Sequence, residues 1–145
     1  MYFVDRERIE MLLAFLEKQL ASYREIKNWE ERQSKLALER IIQTSIDAVL
    51  DTGNAMIDGF IMRDPGSFED IIDILLDEKV ITNEMAVQFK HLLPLRKKLI
   101  QDYLELDFTE TSVVFEENLE AFVLYPCHIR TYLLNELGPV SAFKN

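Results

Sequence analysis

Apolar residues recur at helical spacing along nearly the whole chain. Ile9, Leu12, Leu13, Leu16, Leu20 and Tyr23 mark one face of a first helix over about residues 5–26. Asp5 is placed to cap its start, and Val4 and Ile9 stand where a hydrophobic staple would close. A polar connection around Lys27 and Asn28 leads to a second helix over about residues 29–62. At ~1.5 Å per residue that helix approaches ~50 Å. Its apolar band is wide. Leu38, Ile42, Val49, Met56 and Phe60 follow one line, and Ile46, Leu50, Ile57 and Ile61 broaden it. Two readings fit: one broad internal face in a compact bundle, or contact with both the chain's own helices and a second chain.

Asp64, Pro65, Gly66 and Ser67 break the pattern, with Ser67 and Asp70 spaced as a capping box. Phe68, Ile71, Ile72, Leu75 and Leu76 make a short third helix. Thr82 can cap a fourth, whose line runs through Met85, Phe89, Leu92, Leu93, Arg96, Leu99, Ile100 and Tyr103. Pro94 should kink or split it near residues 90–93. A polar break over residues 107–111 precedes a helix carrying Phe115, Leu119, Phe122 and Val123, which Pro126 should bend before Ile129, Tyr132, Leu133 and Leu137. Gly138 and Pro139 end it. No strand alternation or internal repeat is present. The reading is all-α, an antiparallel bundle of about five helices with one long helix. One domain spans residues 1–145, with 138–145 as a loose tail.

Composition narrows this little. A chain of 145 residues, 48% hydrophobic, suits a single domain with a real core. Four glycines and four prolines are too few for a many-turned β-sandwich. Twenty-six acids against sixteen bases leave a net charge of −10, which argues against wrapping nucleic acid by bulk electrostatics but leaves room for a small local RNA site. One cysteine excludes an internal disulfide and fits a reducing, cytoplasmic setting. No apolar run nears the roughly 18 residues of a membrane span. The spacing of acids, histidines and cysteine calls for no metal and no organic cofactor.

Most candidate chemistry reduces to ordinary roles. Asp70, Asp73, Asp77 and Glu78 read as a solvated acidic face, with cation binding as the alternative. Cys127 and His128 are neighbours, but adjacent helical residues point about 100° apart, which disfavours a thiolate–imidazole pair. His91, among Phe89, Leu92 and Leu93, reads as a packing or surface histidine. Gly53 inside the long helix costs roughly 1 kcal/mol against alanine, which close approach of another helix would explain. Arg96 differs, because it stands directly on the fourth helix's apolar line. Its guanidinium must find an acid, carbonyls or phosphate. Asp51 and Asp58 on the long helix are the structural partners in reach, and snorkelling is the other ordinary outcome.

The segment Leu95, Arg96, Lys97, Lys98, Leu99, Ile100, Gln101, Asp102, Tyr103 resembles the signature of HepT-like proteins in the HEPN superfamily. That signature is an arginine, four residues, a histidine, one residue and a tyrosine, with asparagine usual after the arginine. The stretches 51–54, 64–68 and 75–81 are similar to that family's central region, and the ending from Glu136 is similar to its YutE-type branch. The resemblance implies a homodimeric helical bundle whose signature residues meet in a cleft. It implies a metal-independent endoribonuclease acting as the toxin of a toxin–antitoxin pair, with a minimal nucleotidyltransferase as antitoxin. Arg96 would stabilise charge on the phosphorane, and Tyr103 would be the residue to which the antitoxin adds AMP.

Two positions depart from the signature. Lys97 replaces the usual asparagine, and Gln101 replaces the histidine. Glutamine cannot shuttle a proton near neutral pH, and losing a general acid–base costs about 10²–10⁴ in rate. The resemblance so qualified implies a weak or inactive ribonuclease with a degenerate catalytic set of Arg96, Gln101 and Tyr103. Arg96, Lys97 and Lys98 would contact RNA phosphate, and with Lys90 they would make a small basic cleft on an acidic body. The alternatives are a non-catalytic RNA- or nucleotide-binding dimer, and a partner subunit of a nucleotidyltransferase with Tyr103 as docking or AMPylation point.

Overall fold

Asp5 starts the first helix as its spacing requires, its carboxylate accepting the Arg8 backbone N–H at 3.0 Å. In the computed structural model, which describes residues 2–139, α1 runs Arg6–Glu25 and α2 Arg32–Gly59. α3 spans Phe68–Asp77, α4 Asn83–Ile100, α5 Phe108–Glu117 and α6 Leu119–Leu137, with a 3-10 turn at Tyr103–Glu105. No strand occurs among the described residues. Residues 140–145, assigned to a loose tail, lie outside them. Gly138 is tied in: its N–H donates to the Leu134 carbonyl, and its own carbonyl accepts from Arg6 at 2.8 Å.

α2 is the axis of the bundle and packs against each of the other five α-helices. Val4 against Gly59 at one end and Gln19 against Thr44 at the other make α1 and α2 antiparallel. A Cβ at Gly53 would stand 2.6 Å from Ile71 Cγ2, so α3 approaches α2 where the sequence placed its glycine. Leu38, Ile42, Ile46, Val49, Leu50, Met56, Ile57 and Phe60 are all buried within the chain. The wide band is therefore one internal face, covered by the chain's own helices. The core closes on Tyr125, which is fully buried. Its O–H donates to the Val49 carbonyl at 2.9 Å, and its ring meets Phe89 edge-on at 5.3 Å.

Several boundaries differ from the sequence reading. Pro94 and Pro126 lie inside continuous helices, and the last helical stretch divides instead at Asn118. There the Asn118 amide donates to the Val114 carbonyl, and its backbone N–H turns to the same residue. That N–H is shared with the Phe115 carbonyl, a tightening of the last turn that closes α5. The fourth helix stops at Ile100, leaving Tyr103 off it, and α5 already begins at Phe108 behind the Asp107 cap. α2 ends before Ile61, which is 70% exposed with φ 56°. The Met62 N–H returns to the Ile57 carbonyl and the Phe60 N–H to Met56, placing Ile61 in the left-handed seat that favours glycine. Ile61→Gly is expected to stabilise the fold by about 0.5–1 kcal/mol, since a β-branched residue pays more there than glycine loses in entropy. Urea unfolding checks the sign.

Ion pairs link the outer faces. Arg130 on α6 donates to Glu10 and Glu17 on α1 at 2.5–3.1 Å, and its hydrogen bond holds the Glu17 carboxyl below its ordinary value. At the far end Tyr23 donates to the Glu116 carboxylate, and burial, then Glu116, pushes its phenol up to about 12. A phenol raised in the folded state keeps its proton there after the unfolded chain has lost it. Its contribution is complete below the ordinary value of 10 and is lost as pH rises through about 12. Tyr23→Phe is expected to flatten the decline in urea midpoint between those values.

Candidate functional site

α4 carries Arg96 across α2, and α3 begins beside both. The guanidinium Nε donates to Asp47 Oδ1 at 2.7 Å, and the guanidinium carbon lies 4.7 Å from the centre of the Phe68 ring. Arg96 thus joins three helices while staying about one-third exposed. Its partner is Asp47, one turn before Asp51, and not Asp51 or Asp58, both of which are exposed. α4 crosses α2 at the level of Asp47, a register that helical periodicity alone leaves undetermined.

Downstream, Gln101 caps α4, exposed, its backbone N–H donating to the Lys97 carbonyl at 2.8 Å. The chain turns at once, so Tyr103 sits on the 3-10 turn, 63% exposed, next to Leu104 at 90%. Arg96, Gln101 and Tyr103 are consecutive along one helix end and its turn. They do not form one buried constellation within a single chain. Lys98 reaches Glu110 at 3.5 Å, and Lys97 makes no ion pair among the described residues. Lys90 does not join them, because it is held by Asp73 at 2.5 Å and Glu69 at 3.9 Å on α3. The basic segment is therefore narrower than the sequence count suggested. The acidic face of α3 is neutralised in the same way. Arg63 pairs with Asp70 and Asp77, and the Gly66 backbone N–H followed by Arg63 holds the Asp70 carboxyl below its ordinary value.

Neither histidine enters this region. His91 Nδ1 lies 3.2 Å from Asn118 Oδ1, at the α5–α6 junction. His128 lines a separate opening of about 330 Å³ with Lys79, Cys127 and Tyr132. A wide, shallow opening of about 470 Å³ at the start of α3 is walled by Asn54, Pro65, Gly66, Ser67, Phe68 and Ile71, and Arg96 touches it only through Phe68. Reading the sequence for chemistry missed Asp47 and Phe68. Asp47, Asp51, Asn54 and Asp58 do fall on one polar line of α2, opposite its apolar band, and that line was the available signal.

Comparison with known proteins places this geometry. The family model described as ribonuclease HepT-like matches residues 6–129. YutE of Bacillus subtilis (strain 168), a protein named as a candidate RNase, is 51% identical over 144 residues, covering 99% of this chain and all of that protein. The solved structure of Bacillus subtilis YutE, described as a cytosolic protein of unknown function, superposes with a TM-score of 0.94 at 50% identity, over 99% of this chain and 100% of that one. A chain from the crystal structure of a toxin–antitoxin with AMP-PNP shares the fold, with a TM-score of 0.77 at 18% identity over 85% of this chain and 97% of the other. Among the described residues no helix is long and apolar enough to cross a membrane. With the Arg96-to-Tyr103 segment at its helix end and the family match over most of its length, the chain belongs to the HepT-like ribonuclease family.

Proposed function

We propose that this chain is the toxin-side member of a toxin–antitoxin pair, and that its cleft holds RNA by phosphate at Arg96 but cleaves it weakly or not at all. One observation carries this reading: no imidazole stands beside Arg96. By resemblance to the family signature Gln101 stands where the histidine would, while His91 is turned to Asn118 and His128 belongs to another opening. Without a group that titrates near neutrality, proton transfer to and from the ribose hydroxyl and leaving oxygen loses about 10²–10⁴ in rate.

The working form is a homodimer in the cytoplasm, with Arg96, Gln101 and Tyr103 of both copies facing one cleft and Lys97 and Lys98 at its rim. Family membership and the toxin–antitoxin neighbour support a protein partner. That partner is an antitoxin of the minimal nucleotidyltransferase type, docking on Tyr103 or adding AMP to it. The exposure of Tyr103 and Leu104 favours this role, since a phenol on an open turn is reachable by a second protein. Expression in a growing bacterial host tests the reading. Cells making the chain are expected to grow as fast as cells making Arg96→Ala. Growth arrest that Arg96→Ala relieves would overturn it.

A further inference from the structure

A third opening, of about 250 Å³, lies at the end of the bundle where α1, the α1–α2 connection and α5 meet. None of Arg96, Gln101 and Tyr103 lines it. Tyr23, Trp29 and Phe108 do, each half-buried. Neighbouring ring centres are 5.9 and 6.5 Å apart, with planes turned by 46° and 40°, so the three rings form a curved wall. Glu116 also lines the opening, and the Tyr23 O–H donates to its carboxylate. No cation pairs with that carboxylate among the described residues. A phenol that keeps its proton thus positions Glu116 and leaves its charge unanswered. The Phe108 ring already attracts one ammonium: Lys35 Nζ lies 5.4 Å from its centre, although Lys35 does not line the opening.

We propose that this opening binds a small quaternary ammonium cation of the choline class, its trimethylammonium head against Tyr23, Trp29 and Phe108 and its charge facing Glu116. Electron-rich ring faces attract a cation, most strongly at tryptophan, and the attraction grows as water is excluded. The lining also selects the kind of ammonium. A primary ammonium brings three N–H donors. Tyr23 already uses the Glu116 carboxylate, and the Ser112 hydroxyl gives its proton to the Thr109 carbonyl at 3.0 Å. Few acceptors remain, and a donor left unpaired there costs affinity. A trimethylammonium group has no N–H, and its methyl groups suit the apolar Leu38 and Val113 side chains of the same opening. The net charge of −10 favours a free cation over one carrying a phosphate, which Glu116 would repel.

Trp29 is the one tryptophan of the chain, so its fluorescence reports on the opening directly. Proton NMR of the choline methyl groups gives a readout independent of it. Titration of the full chain with choline is expected to saturate, with a dissociation constant on the order of 1 mM. The neutral alcohol isostere, with a tert-butyl group in place of trimethylammonium, should bind about tenfold more weakly. Ethanolamine and phosphocholine should also bind more weakly, the first for its N–H groups and the second for its phosphate. Glu116→Gln keeps an acceptor for the Tyr23 hydroxyl and removes only the charge. It should weaken choline by about two- to fivefold and leave the neutral alcohol unchanged. Phe108→Leu should weaken choline by about three- to tenfold, and Lys35→Met, which removes the competing ammonium, should tighten it. Thermal melts check that each variant folds. Choline that binds no tighter than the neutral alcohol, that ignores both Glu116→Gln and Phe108→Leu, or that never saturates overturns the proposal. Ethanolamine or phosphocholine as tight as choline overturns the assignment of a free quaternary cation.

Discussion

Gln101→His is expected to raise RNA cleavage by about 10²–10⁴-fold over the wild-type chain. The substitution sits at the exposed cap of α4, where it disturbs no packing, and the Gln101 backbone bond to Lys97 is independent of the side chain. A histidine there lies at a helix C-terminus, which favours the imidazolium and equips it to protonate a leaving oxygen. In the proposed cleft Arg96 would still stabilise the phosphorane. The gain should disappear in the double variant with Arg96→Ala. Since the Arg96–Asp47 pair is partly solvated, its loss should cost the fold no more than about 1 kcal/mol. Rates on a labelled RNA, with a pH profile that turns near the histidine pKa, provide the check. An unchanged rate would mean that more than the proton-transfer group is missing from the cleft.

The largest expected loss of stability is at Tyr125. Tyr125→Ala should cost about 3–5 kcal/mol, because a fully buried ring leaves a cavity between Phe89 and α2 that close packing cannot collapse into. At ~2–4 °C per kcal/mol for a chain near this size, the melting temperature should fall by ~10 °C. Tyr125→Phe isolates the hydroxyl. It gives up the bond to the Val49 carbonyl, which also serves the α2 helix ladder, and should cost only about 1 kcal/mol. Urea unfolding of the two variants separates ring from hydroxyl. Equal losses would contradict the packing account.

Helix existence was legible from periodicity because each apolar stripe is buried on one side: Ile9, Leu13, Leu16 and Leu20 face inward as spaced. The caps at Asp5, Ser67, Thr82 and Gly138 were legible for the same local reason, since each depends on residues within four positions. Ends decided by tertiary geometry were not. Pro94 and Pro126 sit inside helices held by packing, while Asn118, a residue of no special note in the pattern, divides α5 from α6. At the site, Arg96 stood out because a cation on an apolar line demands a partner. Which acid answers it depends on where α4 crosses α2, so Asp47 replaced Asp51 and Asp58. Phe68 looked like a core residue by spacing, yet at the first position of α3 it stays half exposed and carries Arg96 over its ring. The basic segment looked wider in sequence than in space, because Lys90 turns to α3.

Arg96 is proposed to hold RNA in a cleft that lacks a proton shuttle. Binding and cleavage of one labelled RNA, followed together in the same reactions with wild type, Arg96→Ala and Gln101→His, separate the two halves of that proposal. Binding should weaken in Arg96→Ala, and wild-type cleavage should be at least about 10²-fold slower than that of Gln101→His. Wild-type cleavage as fast as that of Gln101→His and abolished by Arg96→Ala would overturn it.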